Sequence, residues 1–376
     1  MRRALLVAVV ALAVAVVAPV KASPPPPAAV DAAAWYLEGH DGAFLAGNNE
    51  HEQRAIASIT KLMTAIVVIE RASLSDVVRV SPRAAGVGES TVYVRAGEEL
   101  TTAVLLRAML VRSANDAAEA LALEVGKGST ARFVALMNAK ARELGLADTH
   151  FENPHGLDAR GHVSSARDAT ALIRYALGVP FIRDALSRST VSLPGGREFS
   201  TTDDLLVSWP ALLGGKTGHT RDAGWAQAAA ARAGAVTVYG SVLGSDTRSS
   251  RNDALRELLE FGLTQYRRTI AIAATRVYAE AETGYGRPSV KLVALRTVVR
   301  TVRLGTPLVE RVMAPSSVAL PVRKGQRLGR VEVYDGNRLV ASSTLVAAAA
   351  VSEPGLFGKA RWYATQTAKN LWGMFT

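Results

Sequence analysis

Hydrophobic and polar positions along the chain change their rhythm several times. Two arginines precede an apolar run from Ala4 to Val20, and small residues occupy Val20 and Ala22. This predicts a secretory signal over residues 1–22 cut after Ala22, with an uncleaved anchor as the alternative because the run approaches the ~18 residues that span a bilayer. Residues 23–29, SPPPPAA, form an extended spacer. From 30 to 267 strand and helix patterns mix. AAAWYLEG and GAFLAG around HD read as a hairpin, and SITKLMTAIVVIERA as an apolar helix with Ser58 as its N-cap. LTTAVLLRAMLVRSANDAAEALALEVG is long enough for two helices broken near Arg112, and STARFVALMNAKARELGL is amphipathic with a stop at Gly145. GWAQAAAARAGAVTVYGSVLG reads as two strands joined at RAGA, followed by a closing helix in SRNDALRELLEFGLTQY. Strands at both ends with helices between predict an α+β domain whose sheet joins the two chain ends.

From 268 to 351 alternation dominates, in PSVKLVALRTVVRTVRL and in LGRVEVYDGNRLVASSTLVA with DGN as a hairpin turn. A smaller all-β domain is expected there. Residues 353–376 return to helical period, with Phe357, Ala360, Ala364, Ala368, Leu371 and Phe375 on one face, Trp362 and Trp372 nearby, and Lys359, Arg361 and Lys369 toward the polar side. That pattern is too polar to span a bilayer and suits a membrane surface; packing on the β-domain is the alternative.

Composition narrows the picture. The formal net charge of +11 and the 44 Lys and Arg imply attraction to acidic surfaces. No zinc-finger spacing, RNP-like run or dense basic stripe is present and the cations look spread along the chain, so a solvated surface is expected rather than a nucleic-acid site. An exported chain with no cysteine holds no disulfide and no thiolate metal site. No metal or other cofactor is called for.

Candidate chemistry starts with a residue the predicted helix does not favour. A capping box would place Glu or Gln three residues after Ser58, but the chain has Lys61, a cation at the positive end of the helix dipole. Residues three apart share a helix face, so the amine meets the hydroxyl. Dipole and burial both favour neutral lysine, which can take a proton from a serine. An SxxK spacing alone is expected about once by chance in such a chain. However, RSAND supplies Ser113 and Asn115 as SxN, and LGGKTGHT supplies Lys216, Thr217 and Gly218 as KTG, at separations of 55 and 103 residues.

SxxK, SxN and KTG in this order resemble the signature of the penicillin-recognising serine enzymes. HFENPHGLDARGHVSSARDATALI and GGKTGHTRDAGW resemble, more closely, the exported low-molecular-mass D-alanyl-D-alanine carboxypeptidases, in the first domain specifically and more loosely after Arg267. The resemblance implies a β-lactamase/transpeptidase-like α+β fold, a β-rich second domain and a membrane-surface tail. It implies that Ser58 attacks the carbonyl between the last two D-alanines of a peptidoglycan stem pentapeptide, that Lys61 accepts the proton, that Ser113 relays one to the leaving amine, and that Asn115 holds Lys61 and substrate. Lys216, Thr217 and Arg251 would bind the terminal carboxylate on a strand edge, with Gly218 leaving room for substrate. Backbone donors of Ser58 and His219 would form the oxyanion hole, and β-lactams would acylate Ser58. The implied location is the extracytoplasmic envelope, at the outer face of the cytoplasmic membrane.

Alternatives remain at this point. The same site would serve a D,D-endopeptidase or transpeptidase, and outside catalysis the chain could be a stem-peptide-binding scaffold. A class A β-lactamase is disfavoured because no ExxLN segment is found. His155 reads as a turn residue between Pro154 and Gly156, His162 and His219 as poor metal ligands, and Asp168 as a local cap or partner. Asp203 and Asp204 stand before a Leu-Leu pair where relatives commonly have asparagine, which bears on substrate preference near the KTG strand.

Overall fold

The structure, a computed structural model, describes residue 25 and residues 30–372. The signal, nearly all of the spacer and Phe375 lie outside the described residues. The chain divides between Gln265 and Tyr266, two residues before the expected 267, because Tyr266–Ile272 already pairs with Val298–Arg303.

In the first unit an antiparallel sheet runs Phe44–Asn48, Ala34–Gly39, Val236–Ser245, Gly224–Ala233, Leu212–Thr220. Its first two strands come from the start of the unit and the other three from its end. Ala226 and the run Ala228–Ala231 are all buried, so both faces of that strand are covered and no polar alternation survives in its sequence. Helices Ala166–Gly178 and Arg248–Thr264 pack on this sheet. Lys61–Arg71, Thr102–Val111, Asn115–Val125 and Thr130–Glu143 form a helical cluster around Leu62, Met63, Ile66, Leu105, Met109 and Phe133. The long apolar segment breaks over residues 112–114, where Ser113 takes φ +66°.

One expectation fails locally. Ser58 is not an N-cap: Ala57–Thr60 is a 3-10 turn, the helix begins at Lys61, and no side chain caps it. The Ser58 hydroxyl faces the Lys61 amine instead.

The second unit has a six-stranded sheet in the order Leu308–Met313, Arg327–Asp335, Arg338–Ala347, Val290–Ala294, Val277–Thr283, Ser317–Val318. Its central hairpin turns at Gly336, whose φ of +58° suits glycine. Leu292, Val331, Val333 and Leu345 centre its core. The tail helix Leu356–Trp372 sets the Trp362 and Tyr363 rings 5.6 and 6.0 Å from Tyr285. On its expected apolar side Phe357, Ala360, Ala364 and Ala368 are exposed, Phe357 by 94%. Among the described residues no helix is long and apolar enough to cross a membrane.

Candidate active site

Two glycines hold the turn that carries Ser58. Ala57 is in the left-handed region, φ +47°, and its carbonyl lies against Gly156, where a Cβ would sit 1.9 Å from that oxygen. From the other side, a Cβ on Gly218 would lie 2.8 Å from the Ile56 carbonyl and 3.1 Å from the Ser58 nitrogen. A Cβ at Gly218 would thus meet the backbone that presents Ser58, and the residue also lines the cleft described below. His162 supports the same turn, a role without a signature in the local sequence. Its Nδ1 accepts from the Glu152 N–H at 3.1 Å, so the proton sits on Nε2, 2.7 Å from Thr60 Oγ1. Burial holds His162 at a pKa of about 4 and His155 at about 3, so both are neutral. No metal-ligand cluster occurs among the described residues.

Lys61 is completely buried. Its Nζ lies 2.6 Å from Ser58 Oγ, 2.7 Å from Asn115 Oδ1 and 2.7 Å from the His155 carbonyl. The last two partners can only accept. A neutral amine has two N–H bonds for them and one lone pair, and that lone pair is left for the one partner able to donate, the Ser58 hydroxyl. Burial, followed by repulsion from Lys216, holds the amine well below its usual 10.5, outweighing Glu89 and Asp116. Burial therefore does most of what the sequence assigned jointly to the helix dipole. Asn115 is itself anchored, its Nδ2 donating to the Gly88 carbonyl at 3.0 Å and its N–H to the Ser90 carbonyl at 2.7 Å.

The KTG segment lies within the edge strand Leu212–Thr220. Lys216 Nζ donates to Ser113 Oγ at 2.9 Å and to the Thr217 carbonyl at 2.8 Å. Burial pushes its pKa down to about 7, with Asp203 opposing and Arg251 assisting. Thr217 Oγ1 is 2.7 Å from Thr202 Oγ1, and the His219 ring lies over Trp225 at 4.1 Å. Arg251 is buried beneath the same wall, 5.8 Å over the Trp225 ring, and burial lowers it to about 10.

These pieces meet in a cleft of about 220 Å³ lined by Ser58, Ser113, Thr217, Gly218, His219 and Arg251, with Lys61, Asn115 and Lys216 buried among their partners. Ser90, Thr202, Trp225 and Arg248 complete its wall. Sequence reasoning gave these four no role: Ser90, Thr202 and Arg248 come from segments with no motif of their own, and Trp225 ends the GGKTGHTRDAGW match without a role assigned to it. Asp203 caps the short helix Asp204–Ser208 through Oδ1, and burial raises its pKa. Asp204 holds Arg248 Nε at 2.6 Å and lies 3.6 Å from Arg251. Asp168 accepts locally from Asp148 N–H and Thr149 Oγ1, both at 2.8 Å. The cleft thus offers a hydroxyl with a proton acceptor at one end and cations fit for a carboxylate at the other.

Comparison with known proteins agrees with that chemistry. A family profile described as D-alanyl-D-alanine carboxypeptidase matches residues 19–247. The D-alanyl-D-alanine carboxypeptidase DacD of Salmonella typhimurium is 32% identical over 355 residues, covering 89% of this chain and 90% of its own length. DacF of Bacillus subtilis, of the same description, is 30% identical over 329 residues, 83% of each chain. Among solved structures, penicillin binding protein 6B from Escherichia coli superposes with a TM-score of 0.64 at 29% identity, covering 88% of this chain and 99% of that one.

Proposed function

The chain belongs to the D-alanyl-D-alanine carboxypeptidase family, as a serine peptidase of penicillin-binding type, and from that premise we propose how its own residues carry out the reaction. Ser58 Oγ attacks the carbonyl carbon between the last two D-alanines of a stem pentapeptide while its proton passes to the neutral Lys61 amine. The oxyanion rests on the backbone N–H groups of Ser58 and His219, an interaction worth several kcal/mol, about 3–4, in comparable sites. When the C–N bond breaks, the leaving amine takes a proton by way of Ser113, and D-alanine departs. Asn115 keeps the amine aimed and binds the substrate backbone. Lys216, Thr217 and Arg251 hold the terminal carboxylate. Water then hydrolyses the acyl-enzyme. A β-lactam acylates Ser58 in the same way, but its leaving group remains tethered.

The observation that carries this reading is the coordination of Lys61, two obligate acceptors and one hydroxyl around one buried amine. We also place the enzyme outside the cytoplasm, exported by residues 1–22, with the tail helix laying Leu356 and Phe357, 85% and 94% exposed, on the outer face of the membrane. Labelled penicillin should add its mass to the peptide containing Ser58, and a pentapeptide ending in D-Ala-D-Ala should release free D-alanine. An intact protein that gains no mass, or a Ser58→Ala variant that still releases D-alanine, sinks the proposal. For the tail, Phe357→Ser should weaken sedimentation with lipid vesicles; unchanged sedimentation removes that part.

A further inference from the structure

Contrary to the even spread expected, the positive charge is concentrated in one unit. Residues 30–265 contain 24 Lys and Arg against 27 Asp and Glu, a net −3, whereas residues 266–376 contain 17 against 6, a net +11. The second unit therefore accounts for the whole formal excess of the chain. Its acids offset few of these cations: Arg267, Arg268, Arg296, Arg323, Lys324 and Arg327 are exposed and have no ion-pair partner among the described residues. Thirteen of the 17 are arginines, whose planar fork suits phosphate and carboxylate oxygens.

The same unit has a cleft of its own, about 160 Å³, between the ribbon formed by Tyr266–Ile272 with Val298–Arg303 and the strand Leu308–Met313. Arg267, Arg276 and Arg303 line it beside Thr269 and Thr306, over a floor that includes the buried Val302 and Val333. Arg276 is held in place by Glu310 at 2.7 Å and lies 4.9 Å over the Tyr278 ring, and Arg303 Nε donates to Thr306 Oγ1 at 3.3 Å. Among the described residues that line this cleft, Glu310 is the one carboxylate beside the Arg267, Arg276 and Arg303 guanidinium groups.

We propose that the second unit is a polyanion-binding module that holds a linear, phosphate-bearing polymer, with one phosphate seated in the Arg267–Arg276–Arg303 cleft. A concave seat accepts a group on a flexible chain, while a flat bilayer does not enter it. The exposed Arg268, Arg296, Arg323, Lys324 and Arg327 of the same unit add attraction for further phosphates of such a polymer, each contact releasing counterions. The module would keep the enzyme on an anionic envelope matrix and leave its catalytic cleft, in a unit of slightly negative net charge, to single stem peptides.

The test uses the full chain and four probes: labelled long-chain polyphosphate, monomeric phosphate, phosphatidylglycerol vesicles and uncharged dextran. Polyphosphate should bind with an affinity that falls steeply with salt, and dextran should not bind. The paired variant Arg267→Gln with Arg303→Gln should weaken polyphosphate binding at least tenfold, flatten the log–log salt slope by about two, and leave penicillin acylation and the melting temperature unchanged. Arg323→Gln with Lys324→Gln should weaken it less. Absence of polyphosphate binding at low salt, a cleft variant that binds like the parent, or an equal loss on vesicles, marking a lipid surface, overturns the proposal.

Discussion

Replacing Lys61 by Met tests the neutral-amine argument most directly, because the side chains are close in shape and only the nitrogen is lost. Unfolded, the lysine keeps its proton up to about pH 10.5; folded, it is held well below that value by burial. If the amine is neutral in the fold at pH 7.5, deprotonating it costs about 4 kcal/mol, three pH units at 1.36 kcal/mol each. Methionine removes that cost but leaves Asn115 Oδ1 and the His155 carbonyl without a donor, at about 1–3 kcal/mol apiece. The terms nearly cancel, so stability at pH 7.5 should change by less than about 2 kcal/mol. The pH dependence should change more clearly. The unfolded state binds a proton that the folded state does not, so this group makes stability rise with pH up to about 10.5, by about 1.36 kcal/mol per unit, and the variant should lose that increment of slope. Urea unfolding at a series of pH values from 7 to 9.5 reads it. Penicillin acylation, followed by mass, should fall by about 10²–10⁴, or roughly 3–5 kcal/mol of barrier. Parent-like pH dependence of stability together with acylation within threefold of the parent would refute the reasoning.

Lys216 sets a second pH limit. With a pKa of about 7 it loses its charge above neutrality, so KM for a carboxylate-ended peptide should rise with pH above about 7 while kcat changes less, and Lys216→Arg should flatten that rise in steady-state profiles. Gly156→Ala places a methyl 1.9 Å from the Ala57 carbonyl at a φ of +89°, and should lower stability by roughly 2–4 kcal/mol in thermal melts; a melting temperature within a degree of the parent would contradict the packing of that loop on the Ser58 turn. Asp204→Asn removes a carboxylate that neutralises Arg248 at the cleft wall. Anionic β-lactams should acylate about three- to tenfold faster at low salt, and the gain should vanish at high salt, where exposed charges are screened.

What the sequence determined by itself is mostly local. Its periodicities set the hairpin at residues 34–48, the helix break near Arg112, the strand pair turning at Gly234, and the DGN hairpin, since each depends on neighbours a few residues apart. The spacing puts the Lys61 amine three residues from Ser58, on the same side of a helical turn, and the ordered set SxxK, SxN and KTG carries the resemblance that implied the chemistry. The tertiary structure decided the rest. Burial of Lys61 beneath His155 and Asn115, contributed by segments 94 and 54 positions away, is what lowers its pKa, and no local pattern reports burial. Gly156 and Gly218 are required by a backbone that arrives from elsewhere in the chain. Ser90, Thr202 and Arg248 joined the cleft through packing alone. Local sequence fixes which groups can react; only the fold fixes their solvation and mutual distance, and those two quantities set a pKa.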